Sequence, residues 1–299
     1  MGRQAIDFDI LIGVTVTEPL IRSISETANW VAFHRATESE RPDAIFHDPY
    51  ARRLAGARGE AIARTLRQNA WAIAVRTYLF DRALVDLISR ECVEMVVNLA
   101  AGLDARPYRL ALPASLRWVE LDLPGILDEK QKVLTQERPS SQLEVIAQNL
   151  GDVTQRRELF SQLNQRAVRI AVMSEGLLLY LDEEKVSSLA ADLHAQTHFG
   201  YWVVEVVSPR VLAMVMRRWR RYFEEANARM SFAPGDWRTF YRQRGWEPVD
   251  FKDMAETARE VHREPAMMKA MAFMGKLFPS WRAKQSKEWE SGVAVLRRR

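Results

Sequence analysis

The stretch that decides the fold is MVVNLAAGLDARPYRL, Met95 to Leu110. Its first five residues, MVVNL, are β-rich, and they predict a short strand. The small residues that follow, AAGLDAR, form a turn that lets a ligand approach the backbone closely. Asp122 stands 20 residues past Gly102 and closes a second strand candidate, Trp118–Leu121. An acid at that distance from a glycine turn can accept hydrogen bonds from a ribose diol. Pro124 then suits the first turn of a helix.

The same alternation continues downstream. Leu143–Ala147 reads as a third strand, and Asp152 or Thr154 starts a helix through Leu163. Ile170–Met173 reads as a fourth strand. Asp182 caps a helix whose Val186, Leu189, Ala190 and Leu193 fall at i, i+3, i+4 and i+7. Tyr201–Val207 is a fifth strand. Strands alternating with helices predict a mostly parallel sheet that binds ligands at the carboxyl ends of its strands. Upstream, Thr27–Ala36 reads as helix, a polar loop follows, and Asn69 can cap a helix from Ala70 to Arg90. Beyond the fifth strand come a basic amphipathic helix, Pro209 to Met230, and an edge strand, Trp246–Phe251, demoted by Pro248. A methionine stripe (Met267, Met268, Met271, Met274) and a final strand, Gly292–Leu296, complete the chain. The expected organisation is a helical N-terminal cover over 1–90 and a core over 91–299 with a helical insert at about 207–245.

Composition narrows the function. At 299 residues, 47% hydrophobic and 27% charged, the chain is globular and neither collagen-like, coiled-coil nor wholly disordered. A net charge of +4 makes no strong field, so no nucleic-acid partner is expected. No run of ~18 apolar residues exists to span a bilayer, so no membrane association is expected. Asp7 and Asp9 interrupt the apolar run that a signal peptide needs. Cys92 is the single cysteine, which excludes an internal disulfide and a Cys-based zinc site. These features suggest a cytoplasmic location, no metal, and a Cys92 that is buried and inert.

One turn and one acid fit any nucleoside-containing cofactor. The nicotinamide fingerprint G-x-G-x-x-G is missing, because Ala100, Gly102 and Ala105 occupy its places. A phosphate-binding G-x-x-x-x-G-K-[ST] loop is missing too. A single-glycine turn suits a cofactor without a pyrophosphate, such as S-adenosylmethionine.

Five ordered motifs carry a resemblance. SETANWVAFHRATESERPDAIFHDPYARRLAG, VRTYLFDRAL, VVNLAAGLDARPYRL, WVELDLPGILDEKQKVL and SEGLLLYLDEE resemble the leucine carboxyl methyltransferase family, closest to its bacterial tetracenomycin-type polyketide O-methyltransferases. The resemblance runs in order over about residues 25–195, and the ending SGVAVLRR also looks like the family's. It implies a Rossmann-like class I methyltransferase fold: a seven-stranded, mostly parallel sheet with an antiparallel last strand. It also implies S-adenosyl-L-methionine as cofactor and a small-molecule methyl acceptor as partner. By position, Arg76 matches the residue that holds the cofactor's carboxylate, a bidentate task suited to guanidinium. Ala100 and Gly102 lie under the methionine and ribose part, and Asp122 matches the acid on the ribose. Asn149 and Leu150 match an Asp-Leu pair beside the adenine, and Glu175 an acid near the methyl-transfer site. The chain departs from the family at Ala100, usually glycine, and at Asn149.

Each residue also has a structural reading. Asp122 could cap the next helix, Arg76 could pair with Asp81 or Asp86, and Glu175 could be a solvated loop acid. His34, Arg35 and Tyr180 are the catalytic candidates: His34 as a general base, Arg35 as a clamp for an acidic acceptor, Tyr180 as a pocket residue. A carboxylate acceptor, pKa ~4, is ionised at neutral pH and needs no base, whereas a phenol, pKa ~10, benefits from one. The expected activity is O-methylation of a small-molecule carboxylate. Alternatives are methylation of a protein's C-terminal carboxyl and cofactor binding without catalysis. A small-molecule enzyme should close its pocket with the insert; a protein methylase should leave a groove. No motif specifies an oligomeric state.

Overall fold

The computed structural model describes residues 24–66, 70–225, 229–266, 268–269 and 288–299. Three helices come first: α1 (Ile24–Ser39), α2 (Ala51–Leu66) and α3 (Ala70–Arg90). The sheet then alternates with helices. In order these are β1 (Met95–Leu99), α4 (Arg106–Arg109), β2 (Arg117–Asp122), α5 (Pro124–Leu134), β3 (Gln142–Ala147), α6 (Val153–Asn164), β4 (Ile170–Ser174), α7 (Glu183–His194) and β5 (Phe199–Val206). The chain continues through α8 (Pro209–Glu225), α9 (Trp237–Arg242), β6 (Trp246–Asp253), α10 (Met254–Glu260) and β7 (Gly292–Arg298).

The seven strands form one sheet in the order β3-β2-β1-β4-β5-β7-β6. The pairs from β3 to β5 are parallel, and β7 runs antiparallel between β5 and β6. The expected mixed sheet is therefore present. Its central strands β1 and β4 are buried at every position, as strands covered on both faces should be. Alternate residues of β1 serve opposite faces. Val97 and Leu99 pack with Phe160, Leu163, Val186 and Leu193 of α6 and α7. Val96 packs with Leu79, Phe80, Leu84 and Leu87 of α3. The helix α3 thus belongs to the core of the sheet. Pro248 does fall on an edge strand, where the β6–β7 register shifts beside it.

The caps on α6 and α7 are those read from sequence, with Asp152 and Asp182 accepting backbone N–H bonds. Asn69 lies outside the described residues, as do Met267, Met271 and Met274. The basic helix is shorter than expected, and Met230 lies in a non-helical segment. Cys92 corrects the sequence reading: it is exposed, at φ +50° in the bend between α3 and β1. That left-handed backbone turns the thiol outward and buries Val93 in its place. Among the described residues, no helix is long and apolar enough to cross a membrane.

Above the strand ends, α1 lies tightly on α2. A Cβ at Gly59 would stand 2.3 Å from the Asn29 carbonyl oxygen, so only glycine permits this approach. The apolar face of α8 closes over the same helices, with Trp219 packed among Trp30, Ile62, Ala63, Leu66 and Ile73.

Candidate active site

A cavity of about 2190 Å³ opens along the carboxyl ends of the parallel strands. The turn after β1 forms its floor. Ala100 and Gly102 both adopt left-handed conformations, at φ +54° and +51°. Gly102 does so without strain, and a Cβ there would touch Ala28 at 3.4 Å. The turn is tied to β2 by Asp122, whose Oδ2 accepts from the Gly102 N–H at 2.6 Å and whose Oδ1 accepts from the Leu123 N–H at 2.7 Å. Burial raises the Asp122 pKa despite those two donors. Asp122 is not the cap of α5: Leu123 holds that position, with no side-chain bond. Its carboxylate lines the cavity instead.

Beside this turn lies a buried network of ions. Arg76, on α3, donates through Nε to Glu175 at 3.0 Å and through Nη1 to Glu205 at 3.1 Å. Asp81 and Asp86, the partners considered for it on its own helix, are not used. Glu175 is no solvated acid, for its second oxygen meets Arg106 Nη1 at 2.8 Å. Arg106 also reaches Asp81 at 2.7 Å and Asp104 at 2.9 Å. Arg109 binds Asp81 as well, at 2.7 Å. Burial alone would raise the Glu175 and Asp104 carboxyls, but the neighbouring guanidinium groups outweigh it and hold both below the ordinary range. Burial would likewise lower Arg76, and Glu205 and Glu175 outweigh it to raise its pKa.

The remaining candidates divide. Arg35 lines the cavity, yet its Nε donates to Asp48 at 2.9 Å and its Nη2 to the Leu103 carbonyl at 2.6 Å. Tyr180 lies on the wall in hydrogen-bond contact with Thr27, and burial raises its pKa. Asn149 and Leu150 also line it. Asn149 Oδ1 accepts from the Gly151 N–H at 2.9 Å, and the Leu150 carbonyl accepts from Arg156 at 2.8 Å.

His34 is not part of this wall. It faces the interior of the helical cover, its ring edge-on to Trp30 and Phe33. Neither ring nitrogen has a hydrogen-bond partner, and burial lowers its pKa to about 4. A general base must reach the proton it removes, and this ring does not reach the cavity.

Glu205, Arg106 and Asp104 were not singled out from sequence, and Asp81 was considered only as a helix partner for Arg76. A charge at the end of an otherwise apolar strand, YWVVEVV, was the visible signal for Glu205. Away from the ion network, the wall is apolar and aromatic. Trp30, Trp71, Val211, Val215 and Trp219 line it, with Trp30 and Trp219 in edge-to-face contact at 6.1 Å.

Comparison with known proteins agrees with this architecture. A family model described as leucine carboxyl methyltransferase matches residues 28–194, over half of the chain. A Streptomyces coelicolor protein named as a candidate S-adenosyl-L-methionine-dependent methyltransferase is 38% identical over 189 residues. That match covers 58% of this chain and 65% of the relative, just under two thirds of its length. A similarly named protein of a Mycobacterium species (strain KMS) is 28% identical over 94% of this chain and 98% of its own. Two crystal structures share the fold at a TM-score of 0.58. One is a DUF574-family protein of Streptomyces avermitilis, 12% identical, covering 91% of this chain and 97% of that one. The other is a candidate methyltransferase of Thermobifida fusca, 13% identical, covering 94% and 96%.

Proposed function

The chain belongs to the leucine carboxyl methyltransferase family, and from that premise we propose that it is an S-adenosylmethionine-dependent O-methyltransferase of the tetracenomycin-type branch. Its acceptor is a large apolar small molecule with a carboxylate group. The observation that carries this reading is the two-ended cavity: charged side chains at the strand ends, aromatic side chains under α8. A roof built by α8 favours a small molecule over a protein C-terminus.

The residues present fit the cofactor. Among the described residues, Arg76 keeps one guanidinium nitrogen, Nη2, without a partner on a wall where a carboxylate would need it. The turn at Ala100–Gly102 offers a close backbone approach, and Asp122 retains lone pairs for ribose hydroxyls after its two N–H bonds. Asn149 and Leu150 would flank the adenine, and Glu175 would sit beside the methyl-transfer site. When bound, the cofactor supplies an electrophilic methyl group on a positively charged sulfur. The protein supplies proximity and orientation, worth up to ~7–11 kcal/mol in favourable cases. The aromatic wall excludes water from the acceptor, and the ion network fixes Arg76 and Glu175 before any ligand arrives.

No histidine lines the cavity among the described residues, which favours an acceptor that arrives already ionised. The test is to incubate the protein with methyl-labelled S-adenosylmethionine and a panel of hydrophobic acids and phenols, then treat the products with alkali. A carboxyl ester releases its label as methanol; an aryl ether does not. Labelled products that survive alkali would overturn the carboxylate assignment.

A further inference from the structure

Glu205 differs from the other carboxylates of the buried network. Asp81 receives its arginine donors at 2.7 Å, Asp104 receives Arg106 Nη1 at 2.9 Å, and Glu175 receives Arg106 Nη1 at 2.8 Å and Arg76 Nε at 3.0 Å. Charged pairs of this kind ordinarily meet at about 2.7–2.9 Å. Every contact of Glu205 is longer. Among the described residues, Oε2 accepts from Arg76 Nη1 at 3.1 Å and from the Gly176 N–H at 3.2 Å, while Oε1 has only the same Nη1, at 3.4 Å. The side chain is 8% exposed and lies on the cavity wall. A carboxylate offers about four acceptor sites, and leaving them unused in a buried place is costly. Glu205 therefore presents unsatisfied acceptor capacity to the cavity.

Its neighbour defines what would fill that capacity. Glu175 occupies Nε of Arg76, and Glu205 occupies Nη1. Each of the two bidentate edges of the guanidinium is thus half-used. A ligand carboxylate can meet Arg76 only through Nη2, end-on, while both glutamates stay in place. In an α-amino acid the ammonium group shares a carbon with the carboxylate. A carboxylate on Nη2 brings that ammonium beside the glutamates that hold the guanidinium. Glu175 has a guanidinium on each oxygen, at 3.0 and 2.8 Å, and the lone pairs that Asp122 retains serve the ribose hydroxyls. Glu205 is left with the capacity to accept.

We propose that Glu205 is a cofactor-binding residue that accepts the cationic amino group of the S-adenosylmethionine amino-acid end. The assignment rests on the methyltransferase reading above. Glu205 and Arg76 together then recognise a zwitterion, and a ligand with only one of its two charges binds less well.

The test is a calorimetric cycle that deletes the amino group from the ligand and the charge from the protein. S-adenosylhomocysteine and its deaminated analogue, which keeps the carboxylate, are titrated into the wild type and Glu205→Gln. The wild type should bind S-adenosylhomocysteine at least tenfold more tightly than the analogue. In Glu205→Gln, binding of S-adenosylhomocysteine should fall by a similar factor, and binding of the analogue should change less than threefold. Equal losses for both ligands would mean that Glu205 only props Arg76, and the proposal is overturned. If Glu205→Gln does not fold, the wild-type comparison still decides: equal binding of the two ligands removes the ammonium site. A wild type that binds neither ligand overturns the methyltransferase reading itself, and this proposal with it.

Discussion

The two ends of the cavity are held together by different physics. At the strand ends, Arg76, Arg106 and Arg109 join Glu175, Glu205, Asp104 and Asp81 through bonds with fixed directions. Under α8, Trp30, Trp219, Val215 and Ile73 meet by van der Waals contact. Buried ions are costly to desolvate, and replacing them by apolar groups is often neutral or better for stability. On the proposed function, the chain carries them at the end where the cofactor would bind, and uses adaptable packing at the end where the acceptor would lie. The contrast teaches that one end should tolerate little change and the other should be retunable.

Removal of Arg106 should break the polar end most severely. Arg106→Met leaves Asp81, Asp104 and Glu175 short of a partner in a buried place. That should cost about 3–5 kcal/mol, read as a lower urea midpoint at unchanged slope. Arg106→Lys should recover only part of it, because an ammonium cannot reproduce a planar fork. A loss below about 1 kcal/mol would show that water screens this network.

Trp219→Ala probes the opposite end. Trp219 is 5% exposed and packs on Trp30, so its loss should cost about 3 kcal/mol. Affinity for S-adenosylhomocysteine, measured on the folded variant, should stay within about twofold, a difference under 0.5 kcal/mol. A large fall in that affinity would mean that the two ends are coupled.

The helical cover behind the aromatic wall carries its own pH signal. The His34 pKa lies below the ordinary 6.5, at about 4, because burial penalises the imidazolium. As pH falls, the unfolded chain takes up this proton first. The stability is therefore complete above pH 6.5 and is lost as pH falls toward 4. Between pH 7 and pH 5 the loss from this group is about 2 kcal/mol. His34→Phe should remove that part of the slope, visible as a smaller shift in urea midpoint between the two pH values. An unchanged slope would show that the ring gains a partner when protonated.

Much of the polar end was legible because its residues sit in local patterns. The turn after β1 and Asp122 each close a strand, and strand ends are where parallel sheets place ligands; Glu175 came from the family resemblance. Arg76 too was visible through the family resemblance, since nothing in a helical VRTYLFD says which way a side chain points. Glu205 was missed for a similar reason. It becomes part of the site only when β5 pairs with β4 and brings Val204 opposite Ser174, a register that no local pattern specifies. The expectation for His34 came from residue type, and a histidine at this spacing reads the same whether it faces a cavity or a core. Cys92 came out exposed because a left-handed bend reversed the side chain, and one-residue reversals leave no periodic trace.

The smallest expected effect concerns the departure at Ala100, and it tests whether the rigid end carries strain. An L-residue in the left-handed region costs about 1–2 kcal/mol over glycine through its Cβ. Glycine in turn gives up about 0.5–1 kcal/mol in backbone entropy on folding. At φ +54° the two nearly cancel, with a margin in favour of glycine. Ala100→Gly should therefore stabilise the protein by up to about 1 kcal/mol, a rise of a few degrees at most in melting temperature for a chain of this size. Affinity for S-adenosylhomocysteine should change less than about threefold, or 0.7 kcal/mol, because Asp122 and not the alanine methyl ties the turn in place. A fall in melting temperature would mean that the methyl group packs against the cavity floor well enough to outweigh its own strain. In that case Ala100 would belong with the packed, retunable side of the cavity.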